Sequence, residues 1–234
     1  NNELKPTVVE RNRKNEFDQN LYPKFGSLGV LGQTVKTHGG SGTSNLAYGL
    51  VAYEFEKIDS SYRSSISVQS SLVIHPINEF GSQEQKDKYL PQLIKGEKIG
   101  CFGLTESEAG SDPTSMKTSF KKTKDGYIIN GSKNWITNAP IADIFIIWAI
   151  EENKDHKSIE GFILEKNYNG LETSTIENKT SLKISPTGQI ILNNVKVPEN
   201  SRLQRTKGWK SVFSCLNKAR FGISWGVLGA ATEC

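Results

Sequence analysis

The sequence contains little cysteine and little histidine, and neither is clustered. Three cysteines and three histidines are spread over 234 residues, and none of the cysteines are paired at the spacing of metal ligands. An odd number of cysteines without regular spacing argues against a disulfide framework and fits a reducing compartment. A zinc site likewise has little support, so we expect no bound metal. The residues concerned are Cys101, Cys215, Cys234, His38, His75 and His156.

Long apolar runs are also missing. No stretch is long enough to cross a bilayer, and no signal-peptide pattern follows Asn1. Because the chain does not begin with Met, we expect either a processed leader or an excerpt of a longer protein. The hydrophobic fraction of 35% is low but sufficient for a core, and 23% charged residues argue against wholesale disorder.

Neither sign of charge dominates. The net charge is +4, and the densest basic clusters, at 11–14 and 121–124, do not alternate with aromatic residues. Such clusters are typical of solvated faces rather than of nucleic-acid grooves. A mild positive field still suits a polyanionic ligand such as a nucleotide. The glycine cluster at 39–42 follows no strand and lacks the GxGxxG spacing, which favours a surface loop over a dinucleotide fingerprint.

The residue pattern changes its period along the chain. From about Asn45 to Lys95 apolar residues recur at helical spacing, and Ser82 with Gln85 resembles a capping box. From about Ile99 to Val197 short β-rich runs alternate with turn dipeptides, which predicts an antiparallel barrel or sandwich rather than a parallel sheet. The runs with strand character are 98–104, 127–130, 143–150, 161–164 and 189–197.

The last segment, Trp209–Cys234, has a helical pattern with no glycine or proline stop after it. We therefore expect the natural protein to continue beyond Cys234. Helices, antiparallel strands and helices in that order predict an α+β fold. Its expected units are an N-terminal helical domain at 1–97, an antiparallel β-barrel middle domain at 98–205, and the first helix of a C-terminal helical bundle at 206–234.

Two stretches contain residues that could bind a ligand. The first, FGLTESEAGSD at 102–112, leads a strand into a loop rich in hydroxyls, amides and glycines, which can bind a polar heterocycle or a phosphate. The second, GSKNWITN at 131–138, sets Trp135 near Thr137, so that an aromatic face and a hydroxyl could hold a flat ring. Trp135 is also expected to begin a strand. Composition alone favours plainer interpretations: a serine-rich turn for the first stretch and a core tryptophan in a barrel for the second.

Together the two stretches resemble the flavin-binding middle domain of the acyl-CoA dehydrogenases. The pattern F-G-L-T-E-x-x-x-G-S-D, followed by G-x-K-x-W-I-T-N, has the spacing of that family. One departure is Ser107, which stands where the family usually has proline and loosens the loop without removing a ligand. The resemblance implies FAD, with the Thr105 hydroxyl on its pyrimidine edge, Trp135 over one face and Thr137 near N5. The implied FAD-binding residues are Phe102, Gly103, Leu104, Thr105, Gly110, Ser111, Trp135, Ile136 and Thr137.

The helical region resembles the glutaryl-CoA dehydrogenases within that family, from EFEKIDSSYRSSISVQSSL at 54–72 through HPI at 75–77. A dicarboxylic acyl chain buries a second carboxylate, for which the arginine fork is the best partner. The resemblance assigns this role to Arg63, with Ser64 beside it. Glu56 would orient the arginine from two turns away, if one helix runs through both residues. The plainer alternative is an exposed arginine at a helix end.

The segment FSCLNKARFG at 213–222 resembles the first C-terminal helix of the family, which contacts the pantetheine and nucleotide of CoA. The resemblance implies CoA contacts from Phe213, Asn217 and Arg220, and a contact of Ser111 with the thioester arm. Without the resemblance, the segment is an amphipathic helix whose core residues are Phe213, Leu216 and Phe221.

The implied activity is the oxidation of a short acyl-CoA, with oxidative decarboxylation of glutaryl-CoA to crotonyl-CoA and carbon dioxide favoured. A carboxylate removes the α-proton while the β-hydride passes to the flavin, and the electrons go to electron-transferring flavoprotein. The family's catalytic glutamate lies beyond Cys234, so no catalytic base is expected in this chain. Glu106, Glu108 and Asp112 are expected to order the backbone instead.

The resemblance further implies a homotetramer for the full-length form, located in the mitochondrial matrix of a eukaryote or in the cytoplasm of a bacterium. Two alternatives stay open. One is a dehydrogenase of another short acyl-CoA that does not decarboxylate its substrate. The other is a truncated flavin-binding module without catalysis.

Overall fold

The computed structural model describes residues 3–155 and 158–234. Its first part is helical, as the apolar spacing predicts. A π-helical segment, Val68–Ile74, continues directly from one helix into the next. The helices are α1 (Val8–Lys14), α2 (Leu21–Ser27), α3 (Asn45–Glu56), α4 (Ser60–Ser67), α5 (His75–Phe80) and α6 (Gln83–Ile94).

Local capping sets the boundaries of these helices. The predicted capping box of α6 is confirmed, because Ser82 Oγ accepts from the Gln85 amide at 3.2 Å and Gln85 Oε1 accepts from the Ser82 amide at 2.9 Å. Asp59 has an extended backbone and caps α4 by accepting from the Ser61 amide at 2.7 Å. The chain therefore breaks between α3 and α4. One helix does not run from Glu56 to Arg63, so the condition for placing the two residues on one helical face is not met.

In the described part of the chain, seven strands form one curled sheet. Most pairings are antiparallel, as predicted, but β4 lies parallel to both β1 and β2. The patterns at 119–122 and 171–175 did not predict strands, because both runs are short and expose two of four and three of five residues, respectively. The strands are β1 (Gly100–Gly103), β2 (Ser119–Lys122), β3 (Gly126–Thr137), β4 (Ile144–Glu151), β5 (Ile159–Glu165), β6 (Leu171–Thr175) and β7 (Thr187–Pro198).

Two apolar cores hold these layers together. One lies between the helices and the near face of the sheet and contains Trp148. The other fills the inside of the curl, around Phe145 and Phe162. Gln69 is fully buried and ties the layers: its Nε2 donates to the carbonyls of Leu93 and Lys98, and its Oε1 accepts from the Gly100 amide at 2.8 Å. The start of β1, which leads into the hydroxyl-rich loop, is thereby held against the helices.

The last helix, α7 (Trp209–Glu233), packs along α3 through small residues. An added Cβ at Gly229 would lie 2.2 Å from the Tyr53 carbonyl oxygen, so the two helices approach closely. Placing Phe213 and Phe221 in the core is wrong, since they are 37% and 39% exposed. The buried residues of α7 are Ser211, Val212, Cys215, Ala219, Gly222, Gly226 and Gly229.

The predicted fold class is confirmed, since helices, a curled sheet and a further long helix follow one another along the chain. Within residues 3–155 and 158–234, no helix is both long enough and apolar enough to span a membrane. The same residues contain no group of three or more His, Cys, Asp or Glu side chains able to hold one metal ion. His156 lies outside the described residues.

Candidate functional site

The two motifs singled out in the sequence lie side by side. The amide of Asn134 donates to the carbonyl oxygen of Thr105 at 2.9 Å. The Asn134 side chain also donates to Ser107 Oγ at 3.3 Å. The loop after β1 and the end of β3 therefore share one surface, which contains the partly exposed Thr105 and the exposed ring of Trp135.

Trp135 points out of the sheet because of a β-bulge. The register of β3 against β7 shifts between Lys133 and Ile136, both of which are buried. Trp135 has a φ of 58°, a strained value for a bulky residue, and its side chain is 59% exposed. Trp135 thus lies near the end of β3 and not at the start of a strand, and the core-tryptophan alternative is wrong. Regular alternation would have turned the ring inwards, so no sequence pattern indicated its exposure.

The other residues expected to line a flavin divide into two groups. Phe102 and Ile136 are buried, and the Phe102 ring packs edge-on to Trp148 with centroids 6.2 Å apart. Their side chains belong to the core, as does that of Leu104, and Gly103 has none. The residues with accessible surface are Thr105, Gly110, Ser111, Trp135 and Thr137.

A buried ion pair lies beneath this surface. Lys133 Nζ donates to Glu106 Oε1 at 2.8 Å and to the Leu104 carbonyl at 3.1 Å. Burial lowers the pKa of Lys133 to about 8, against the opposing effect of Glu106. Burial also pushes the pKa of Glu106 upwards, but the charge of Lys133 and hydrogen bonds outweigh it, so the net shift is downwards. Both groups are therefore charged at neutral pH.

Two acidic residues of the loop, Glu106 and Asp112, have structural partners. Glu106 accepts hydrogen bonds from the amides of Lys117 and Thr118 at 2.6 and 2.9 Å. Asp112 accepts from the Thr114 amide at 3.0 Å and so closes a turn. These contacts confirm for Glu106 and Asp112 the expectation that they order the backbone.

A second polar cluster lies between α3, α4 and α7. Arg63 Nε donates to Glu56 Oε2, and Ser60 Oγ donates to Glu56 Oε1. The side chains of Arg63 and Glu56 are 11% and 5% exposed. The alternative of an exposed arginine at a helix end is therefore wrong. Within the described residues, the two Nη atoms of Arg63 form no hydrogen bond, so they remain as donors for an anion. Ser64, the next residue of α4, is half-buried.

A set of buried hydroxyls in the same region was not predicted from the sequence. Tyr48 Oη lies 2.7 Å from Ser71 Oγ and 3.1 Å from Ser67 Oγ, and all three residues are buried. The Tyr48 ring stacks on Phe221 of α7 with centroids 6.2 Å apart. The serine-rich run at 64–71 was the available signal, because buried hydroxyls on a helix need partners.

The expected CoA-binding residues of α7 share one accessible face. Phe213, Asn217 and Arg220 stand at spacings of four and three residues, and all are exposed. Arg220 Nη1 donates to Asn217 Oδ1 at 3.1 Å. This position suits an extended ligand lying along the helix, and the binding role itself stays a prediction.

Comparison with known proteins bears on these sites. The family profile described as "Acyl-CoA dehydrogenase, N-terminal domain" matches residues 1–97, and that for the middle domain matches 101–195. A short-chain-specific acyl-CoA dehydrogenase of Clostridium acetobutylicum is 37% identical over 233 residues, which cover 98% of this chain and 62% of the relative. The chain thus spans about three fifths of the length of this relative.

Two solved structures are also similar. A glutaryl-CoA dehydrogenase from Mycobacterium smegmatis, in complex with FADH2, superimposes with a TM-score of 0.96 at 41% identity, covering 99% of this chain and 59% of that one. Butyryl-CoA dehydrogenase from Megasphaera elsdenii superimposes with a TM-score of 0.92 at 36% identity, covering 98% and 62%. The overall likeness therefore does not separate a dicarboxylic acyl substrate from a simple short one.

Proposed function

The chain belongs to the acyl-CoA dehydrogenase family, and from that premise we propose that it forms the flavin-binding and acyl-binding parts of an enzyme that oxidises a short acyl-CoA. The substrate we propose is glutaryl-CoA, oxidised and decarboxylated to crotonyl-CoA and carbon dioxide. The observation that carries this choice is the buried pair of Arg63 and Glu56.

The surface formed by the loop after β1 and the end of β3 fits FAD. An indole that is 59% exposed on a strained backbone is a suitable platform for a flat ring. The hydroxyls of Thr105 and Thr137 and the amides of the loop are suitable donors for the ring's polar edges. When bound, FAD supplies the acceptor for the two electrons of dehydrogenation.

The pair of Arg63 and Glu56 supports a substrate with a second carboxylate. A buried arginine is costly unless it is paired, and Glu56 provides that partner while leaving both Nη atoms as donors. The terminal carboxylate of a glutaryl chain could accept from them with charge-assisted hydrogen bonds. A butyryl chain ends in a methyl group, for which a buried cation offers no favourable contact.

The remaining parts of the proposal follow from the family. The face of α7 with Phe213, Asn217 and Arg220 binds CoA, and Ser111 contacts its thioester arm. The catalytic carboxylate comes from a part of the protein outside this chain. Electrons pass to electron-transferring flavoprotein, and the full-length enzyme is a homotetramer in the mitochondrial matrix or bacterial cytoplasm.

Arg63→Gln in the full-length enzyme tests the choice of substrate. Charge-assisted hydrogen bonds contribute roughly 1.5–3 kcal/mol, so kcat/KM for glutaryl-CoA should fall about 10- to 150-fold. Turnover of butyryl-CoA should change little. Arg205→Gln, at an exposed arginine, is the matched control and should leave both substrates unaffected.

Each alternative predicts a different result. Equal loss on both substrates in Arg63→Gln would show that the arginine does not recognise the carboxylate. Efficient butyryl-CoA oxidation without carbon dioxide release from glutaryl-CoA would favour a simple short-chain dehydrogenase. A full-length protein that binds FAD but oxidises neither acyl-CoA would favour a flavin-binding module without catalysis.

A further inference from the structure

We propose that Lys133 is a positioning residue, which sets the Thr105 hydroxyl and the Trp135 ring at the right separation for a flavin. This inference rests on the proposed function, because it assumes that the flavin lies on that surface. It concerns residues behind the surface that would not touch the cofactor.

The side chain of Lys133 reaches both neighbours of Thr105. It is fully buried, and its Nζ contacts the Leu104 carbonyl at 3.1 Å and Glu106 Oε1 at 2.8 Å. The residue between them, Thr105, accepts from the Asn134 amide at 2.9 Å. Hydrogen bonds therefore join three consecutive residues of the loop, 104–106, to two consecutive residues of β3, 133–134.

Gly103 leaves space for the side chain of Lys133 to cross β1. An added Cβ at Gly103 would lie 3.2 Å from Lys133 Cγ and 2.6 Å from Ile147 Cδ1. The stem of Lys133 thus passes directly over β1. A glycine at the end of β1 and a lysine in β3 are parts of one arrangement.

The ammonium group of Lys133 has a partner for each of its donors. Besides Leu104 and Glu106, it lies 3.8 Å from Met116 Sδ. Glu106 is itself held by two backbone amides, at Lys117 and Thr118. The ion pair therefore has one fixed geometry and cannot shift without breaking several hydrogen bonds.

The position of Lys133 in β3 connects it to Trp135. Lys133 is the last inward-pointing residue before the bulge that turns Trp135 outwards. Ser107, at the family's usual proline position, adds a tie by accepting from the Asn134 side chain at 3.3 Å. Movement of Lys133 would therefore displace the loop and the bulge relative to each other.

A purely stabilising role can be separated from a positioning role. Removing one partner of a buried ion pair leaves an unpaired charge, whereas removing both charges is often neutral for stability. Lys133→Met should therefore destabilise the apo-protein, and Lys133→Met with Glu106→Gln should restore its thermal midpoint. Neither variant has a group that donates to the Leu104 carbonyl from this position.

The experiment is a titration of the full-length apo-protein with FAD, followed by flavin absorbance and fluorescence, alongside its thermal midpoint. We expect the Kd for FAD to rise about tenfold or more in both the single and the double variant. Lys121→Met, at an exposed lysine of β2, is the matched control and should bind FAD as the wild type does.

The outcomes distinguish the inference from the function on which it rests. A double variant that binds FAD with unchanged Kd would show that the ion pair serves stability alone, and would overturn the inference. A wild-type protein that binds no FAD would overturn the proposed function itself. If neither lysine variant folds, Glu106→Gln decides: it removes one charge at constant size, and an unchanged Kd would again overturn the inference.

Discussion

Gly226 lies directly over the ion pair that we propose recognises the substrate carboxylate. An added Cβ there would lie 2.6 Å from Glu56 Oε2 and 3.2 Å from Arg63 Nε. To reach ordinary contact at 3.4 Å, the carboxylate must retreat by about 0.8 Å. Arg63 and Ser60 both donate to that carboxylate, so Gly226→Ala should displace the arginine with it.

The expected effects on stability and on function differ in size. Overpacking costs roughly 1–3 kcal/mol, but alanine is about 1 kcal/mol better than glycine inside a helix. The net loss of stability should therefore be about 0–2 kcal/mol. A displaced Arg63 loses charge-assisted hydrogen bonds of roughly 1.5–3 kcal/mol. We therefore expect kcat/KM for glutaryl-CoA to fall about 10- to 150-fold.

Gly222→Ala is the matched control, since Gly222 lies on the same buried face of α7. An added Cβ there would lie 2.5 Å from Tyr48 Oη and would not meet the ion pair. The assay compares kcat/KM for glutaryl-CoA and butyryl-CoA in both full-length variants, together with their thermal midpoints. If the two variants lose both substrates in the same ratio, Gly226 has no special role in recognising the carboxylate, and the reasoning fails.

Three further predictions concern buried or unusual side chains. The pKa of Lys133 is lowered from 10.5 to about 8 by burial, so the unfolded state binds more protons above pH 8. In urea unfolding, the free energy of unfolding of the wild type should then rise relative to that of Lys133→Met by up to about 1.4 kcal/mol per pH unit between pH 8 and 10.5. If the two proteins show the same pH dependence of this free energy, the prediction is wrong. Burial, and then Lys218, lower the pKa of His75 from 6.5 to about 4, so stability should be lost as pH falls through that window. The loss should reach about 3 kcal/mol and be absent in His75→Asn by the same assay, whereas an unchanged pH profile would refute it. Ser107→Ala removes the acceptor for the Asn134 side chain and should raise the Kd for FAD about two- to fivefold. An unchanged Kd would show that this hydrogen bond is not needed for FAD binding.

Some features of the fold and of the site could be predicted from residues close together in the sequence. The capping box of Ser82 and Gln85 depends on residues three apart and appears as predicted. The contact of Glu56 with Arg63 was also anticipated, but through one continuous helix. The structure makes the contact across a break capped by Asp59, because two short helices can bring the side chains together from different axes.

Other features depend on contacts between segments that are far apart in the sequence, which no local pattern can indicate. The parallel alignment of β4 with β1 and β2 joins segments far apart along the chain. The outward turn of Trp135 depends on where β3 slips against β7, which regular alternation cannot indicate. The stripe of small residues on α7 packs against α3, a contact that the sequence of α7 alone does not indicate.

The sequence by itself determined the succession of helical, β-rich and helical regions, the family motifs and the residue types available for binding. These follow from side-chain chemistry and from spacings within a few residues. The tertiary structure decided that Lys133 reaches under the loop, that Trp135 is exposed and that Gly226 covers the pair of Arg63 and Glu56. Such contacts depend on strand register and on the distance between helices. Both are set by the packing of the whole chain.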